Sequence, residues 1–139
     1  MEDVFVGSLM SSPVHSVRGD ATLREAGQVL LDHGIGSVVV VDDEGGLRGI
    51  LTATDFVRVV AGDNDWEPSV LVSAVMSRDV LTTTADGPIT VAADLMVETE
   101  HHHVPVVDEG SVIGIITASD VAAYVSTVRP PHPPRASGG

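Results

Sequence analysis

Cysteine is absent from this 139-residue chain, and so is lysine. The first absence excludes disulfides and thiol chemistry and leaves the redox compartment undetermined. The second leaves seven arginines facing 20 Asp and Glu, a formal net charge of −13. Such a chain lacks the cationic footprint that nonspecific binding to nucleic acid or anionic membrane requires. Aromatics are few, with one Trp, one Tyr and two Phe, so any core must be built from Val, Ile, Leu and Ala. No apolar run approaches the roughly 20 residues of a membrane span, and no basic-then-apolar leader opens the chain. A soluble, cytoplasmic protein is expected. The chain also lacks Gly-x-Ser-x-Gly, Gly-x-Gly-x-x-Gly, Gly-Lys-Ser/Thr and His-Glu-x-x-His motifs, so no enzyme is predicted.

The acidic surface without lysine resembles the composition of proteins from salt-accumulating organisms. At molar salt the screening length falls to about 3 Å, and such a surface repels itself little. The length suits one ordinary core or two small modules packed together.

What the chain has is a duplication. GILTATD at Gly49–Asp55 returns as GIITASD at Gly114–Asp120. Aligned from that motif, Val6–Met10 pairs with Val72–Met76, Asp20 with Asp86, and Ser37–Gly46 with His103–Gly110. Leu23, Ala26, Gly27, Leu30 and Leu31 recur as Ile89, Ala92, Ala93, Met96 and Val97, a spacing that puts each set on one helical face. The predicted organisation is a first repeat over 1–62, a linker over 63–71, a second repeat over 72–128 and a tail over 129–139.

Each repeat reads as strand, helix, strand, strand, helix. Val14–Val17 and Val80–Thr83 are the opening strands. The first helix starts near Thr22, where Thr-x-x-Glu to Glu25 fits a capping box, and stops at Gly34. In the second repeat Pro88 falls in the first helical turn, which tolerates it. Hairpins follow, Val38–Val41 with Leu47–Leu51 and Val104–Val107 with Val112–Ile116. The closing helices run from Thr54 to about Val60 and from Ser119 to about Val125. In the linker, Trp66 is expected to cover apolar surface, and the Pro-rich segment after Arg129 is expected to be disordered.

The repeated heptad has its own chemistry. A strand ending at Leu51 or Ile116 delivers Thr52 and Thr54, or Thr117 and Ser119, to a helix start whose unpaired N–H groups favour an anion. Asp55 or Asp120, turned aside, is suited to accept hydrogen bonds from two adjacent hydroxyls such as a ribose presents. Gly49 and Gly114 allow close backbone approach. The plainer alternative makes Thr54 and Ser119 simple N-caps and the aspartates partners of the helix dipole. His101 and His103 fall on one side of an extended segment, but two ligands do not make a metal site, and none is predicted.

These two heptads, the two Val-x-x-x-Met openings and the hairpins ending in Val-Val-Asp together resemble a tandem pair of CBS domains, over about Val6–Ser126. The resemblance implies an α/β (α+β) fold of two pseudo-symmetric β-α-β-β-α repeats packed sheet to sheet as one module. It also implies two clefts for adenosine-containing ligands, AMP, ADP, ATP or S-adenosylmethionine, and a homodimeric disc. In nucleotide-binding relatives a basic residue before the second strand helps hold phosphates. By that correspondence one cleft is assigned Thr117, Ser119, Asp120, His102 and His103, completed by Ser12, Val14, Ser37 and Val38, and is expected to be the better anion site. The other is assigned Thr52, Thr54, Asp55, Arg78, Val80, His103 and Val104. No cofactor is required. The implied function is ligand sensing, relayed through conformation or oligomerisation to a separate effector protein. The alternative is a dimerisation module with empty clefts. The acidity makes a ligand of low charge, such as S-adenosylmethionine, a credible occupant, and the sequence does not choose between it and AMP.

Overall fold

The computed structural model describes residues 4–62 and 67–128. Trp66 and the 129–139 segment, for which a cover and a disordered tail were expected, lie outside the described residues. The first repeat opens with a one-turn helix α1 (Val6–Leu9), followed by β1 (Ser16–Arg18), α2 (Leu23–His33), β2 (Ser37–Val41), β3 (Leu47–Thr52) and α3 (Ala53–Gly62). The second contains α4 (Val72–Val75), α5 (Ile89–Thr99), β4 (His103–Asp108), β5 (Ser111–Thr117) and α6 (Ala118–Val128).

Local signals produce these elements. The Thr22 hydroxyl accepts from the Glu25 N–H at 3.1 Å while Glu25 Oε1 accepts from the Thr22 N–H at 3.0 Å, the reciprocal box that starts α2. Gly34, at φ 61°, ends the helix in the left-handed region. Its counterpart ending α5 is Glu100, a non-glycine held at φ 58°, a conformation costing an L-residue about 1 kcal/mol. Pro88 is the N-cap of α5, one position earlier than the first helical turn expected for it. In the first hairpin the Asp42 carboxylate accepts from the Gly46 and Glu44 amides and fixes the turn.

The first repeat forms a three-stranded sheet in the order β1-β2-β3, with β1 parallel and β3 antiparallel to β2. The second keeps only the β4-β5 hairpin. The strand predicted at Val80–Thr83 is reduced to one bridge from Thr83 to Val106, with Thr83 N–H on the Pro105 carbonyl at 3.1 Å and Val107 N–H on the Thr83 carbonyl at 2.9 Å. A parallel strand of so few bonds does not extend.

The short helices α1 and α4, absent from the sequence-based expectation, exchange places. Val6 is fully buried in the core made by Ile89, Ala92, Met96, Val104, Val106 and Ile116 of the second repeat. Val72 is fully buried among Leu23, Ala26, Leu30, Val38, Val40 and Leu51 of the first. Each such valine contributes about 1.5–3 kcal/mol of burial to the opposite repeat. The segments that follow clamp the exchange: Ser11 and Ile115 trade backbone hydrogen bonds at 2.8 and 3.1 Å, and Ile50 and Ser77 at 3.0 and 2.9 Å.

Gly49 and Gly114 belong to this clamp, and the close approach they allow is by the opposite repeat. A Cβ at Gly49 would stand 2.7 Å from the Ser77 carbonyl and 2.8 Å from Met76 Sδ; at Gly114 it would stand 2.7 Å from Met10 Sδ and 2.9 Å from the Ser11 carbonyl. The heptad glycines therefore pair with the Val-x-x-x-Met openings, each across the repeat boundary.

Candidate functional site

The start of α3 is built from the heptad itself. Asp55 Oδ2 accepts from the Thr52 N–H at 2.8 Å and the Thr52 hydroxyl at 3.2 Å, and Thr52 Oγ1 accepts from the Asp55 N–H at 3.3 Å. At α6 the Thr117 N–H donates to Asp120 Oδ2 at 2.9 Å, and Thr117 Oγ1 accepts from the Asp120 N–H at 3.1 Å. Thr52 and Thr117, not Thr54 and Ser119, therefore cap the helices, because Asp lies three residues after each Thr and closes a capping box. One carboxylate oxygen of each Asp is committed to this cap, so a ligand hydroxyl would be accepted by the other oxygen or share the capped one. In Asp55 the second oxygen stands 3.6 Å from the Arg58 guanidinium.

The anion-binding capacity expected of these helix starts is reduced by the same bonds. The Ala53 N–H donates to the Gly36 carbonyl at 2.9 Å and the Ala118 N–H to the His102 carbonyl at 2.9 Å. With Asp55 and Asp120 amides also engaged, the Thr54 and Ser119 N–H groups are the early donors these bonds do not use.

Two cavities related by the repeat symmetry flank these helix starts. The first, about 430 Å³, is lined by Ile50, Thr52, Thr54, Asp55 and Arg58 of the first repeat with Ser77, Asp79 and Thr99–His103 of the second. The second, about 320 Å³, is lined by Ser11–His15 and Ile35–Ser37 of the first repeat with His103, Ile115 and Thr117 of the second. Both fall in the size range of small-molecule sites.

This grouping corrects several assignments. His102 lines the Thr52 cavity and not the Thr117 cavity, because the end of α5 packs across from the heptad of the other repeat. Arg78 reaches neither: its guanidinium donates to the Ser73 carbonyl at 3.1 Å and lines a separate cavity with Arg18 and Arg48. Val38 and Val104 are sealed into the two cores, on the strand faces turned from the clefts. Val80 is half-buried and outside the lining of both cavities. Ser12, Val14, Ser37, His103 and Thr117 do line the Thr117 cavity, whereas Ser119 and Asp120 sit just beyond it on α6. Ser11, Pro13, His15, Ile35, Gly36 and Ile115 complete that cavity, and Arg58, Ser77, Asp79, Thr99, Glu100 and His101 the other. Of these, Pro13 lay within the Ser12–Val14 segment and His101 within the histidine run that the sequence singled out; the others escaped it, although the repeat alignment pairs Ile35 with His101 and Ser11 with Ser77.

The two cavities differ in charge. The Thr52 cavity carries Asp55, Asp79 and Glu100 against Arg58 and three histidines. Among the described residues, the lining of the Thr117 cavity holds no Asp, Glu, Lys or Arg, only Ser and Thr hydroxyls, two histidines and an apolar wall of Pro13, Val14, Ile35 and Ile115. His15 at its edge stacks on His33, with ring centroids 3.8 Å apart. Burial, reinforced by the charge of His102 and opposed by Asp120, holds the His103 imidazole below its ordinary pKa of 6.5.

The CBS domain family model matches residues 6–62 and again residues 72–127. The chain is 30% identical over 118 residues to an uncharacterized 17.7 kDa protein of Acidianus ambivalens, over 84% of this chain and 70% of that one. It is equally similar, at 30% over 118 residues, to an L-aspartate semialdehyde sulfurtransferase of Methanocaldococcus jannaschii, but there it spans only 22% of the enzyme's length. Among solved structures, the CBS domain pair of protein MJ0100, in complex with 5′-methylthioadenosine and S-adenosyl-L-methionine, superposes with a TM-score of 0.85. That pair is 27% identical, and the match covers 92% of this chain and all of the other.

Proposed function

Because the chain belongs to the CBS domain family and carries two copies in tandem, we propose that it is a regulatory module that binds adenosyl ligands of low charge in its two clefts. The observation that carries this reading is the lining of the Thr117 cavity. It offers hydroxyls for a ribose, an apolar wall for a base and, among the described residues, no Lys or Arg for a phosphate chain. A polyphosphate desolvated there would lack a counter-charge. The acidic Thr52 cavity favours the same choice, since Asp55, Asp79 and Glu100 repel phosphate and suit a sulfonium such as that of S-adenosylmethionine. The solved pair in complex with methylthioadenosine and S-adenosylmethionine supports adenosyl ligands as a class.

Occupancy bridges the two repeats, because each cavity takes residues from both. A ligand with different affinity for two arrangements of the halves would shift their balance, and a separate effector protein would read the change. The alternative, a dimerisation module with empty clefts, draws on the exposed Leu31 and Val97.

The test is a thermal-shift series on the chain with methylthioadenosine, S-adenosylmethionine, AMP, ATP and guanosine. A ligand at about 100 times its Kd adds about 2.7 kcal/mol of stability, enough to raise Tm by several degrees. Methylthioadenosine and S-adenosylmethionine are expected to shift Tm more than AMP, and AMP more than ATP. The reverse order would discard the low-charge preference; no shift with any ligand would favour the empty-cleft alternative.

A further inference from the structure

His103 is common to both cavities, and among the described lining residues it alone is. Its ring lies against Gly36, where a Cβ would come within 3.4 Å of Cε1, so the imidazole spans the boundary between the repeats at the place where the first repeat has no side chain. Ser37, its counterpart, is buried and reaches only the Thr117 cavity. Nδ1 of His103 is buried with no hydrogen-bond partner, so no bond through that nitrogen commits the ring to one side.

A neutral imidazole has one N–H donor and one acceptor nitrogen, and one rigid ring directs them. When a ligand in one cavity draws the ring into a hydrogen bond, the second ligand meets a cavity without it. We propose that the two clefts compete for His103, so that the first adenosyl ligand takes the imidazole and the second binds unaided. This rests on the reading that the clefts hold adenosyl ligands. Linkage makes the competition reciprocal: whichever cavity fills first lowers the affinity of the other.

The experiment is a calorimetric titration of the full chain with methylthioadenosine, with site-resolved NMR following Thr54 for one cavity and Ser37 for the other. In wild type, two equivalents bind. In His103→Ala the first equivalent weakens by about tenfold, the value of one hydrogen bond, and the second is unchanged. Loss of affinity at both equivalents would mark His103 as an independent contact of each cavity and overturn the competition. No loss at either, or uptake of only one equivalent by wild type, would overturn it too, with the adenosyl-binding reading left standing. Absence of binding to wild type would instead remove that reading. Should the alanine variant fail to fold, His103→Asn, with a shorter donor arm, is expected to give the same pattern.

Discussion

Two influences hold the His103 imidazole toward its neutral form, loss of water first and the nearby His102 second, and Asp120 only partly opposes them. The unfolded chain takes up this proton from about pH 6.5 downward, whereas the folded chain takes it up only at lower pH. The stability tied to this group is therefore full above about pH 6.5 and declines as pH falls through the interval beneath it. Urea midpoints measured at about pH 7.5 and about pH 5.5 should fall less in His103→Asn than in wild type. An equal fall in both would show that the imidazole does not carry this slope. The residue was legible in the sequence as one of three histidines beside a strand. The resemblance assigned it to both clefts, and it lines both cavities; His102 was assigned to the wrong one, because the side of the module that a strand-end side chain meets is set by how the second repeat lies against the first. Arg78 shows the same limit: nothing in its neighbours along the chain signals that the Ser73 carbonyl holds its guanidinium away from both clefts.

At the scale of elements, local rules reached furthest. Thr22 with Glu25, Gly34 and the two hairpins follow from short-range chemistry, and each stands where the sequence places it. The heptad needed a finer reading, since Thr-x-x-Asp already writes a capping box two residues earlier than Thr54 or Ser119. Asp120→Ala should therefore destabilise the ligand-free protein by about 0.5–2 kcal/mol, through loss of the α6 cap. Denaturant unfolding without ligand checks this; an unchanged midpoint would mean the carboxylate serves only a ligand. The opening strand of the second repeat was predicted from Val80–Thr83 by analogy with Val14–Val17, and there the analogy outran the pairing available.

For the whole molecule, we propose self-association through the apolar surface that the fold leaves uncovered. Leu31 and Val97, matched positions on α2 and α5, are each 79% exposed, and Val57 and Val60 stand out on α3. Large aliphatic side chains at repeat-related positions suit a twofold interface between copies of the chain. Leu31→Asp with Val97→Asp should shift sedimentation from dimer to monomer while leaving the thermal midpoint of the fold within a few degrees. A wild-type chain that sediments as a monomer at high concentration would refute the dimer. No helix among the described residues is long and apolar enough to cross a membrane.

The exchange of α1 and α4 also bears on how such modules spread between genes. A recombination that copied residues 6–62 alone would carry Val6, which completes the other half, and leave behind Val72, which completes its own. Only a stretch containing both openings arrives with two finished cores. The smallest stretch that brings two finished cores is accordingly the pair, and the similarity to the sulfurtransferase of Methanocaldococcus jannaschii runs over 118 residues that span 84% of this chain and 22% of the enzyme.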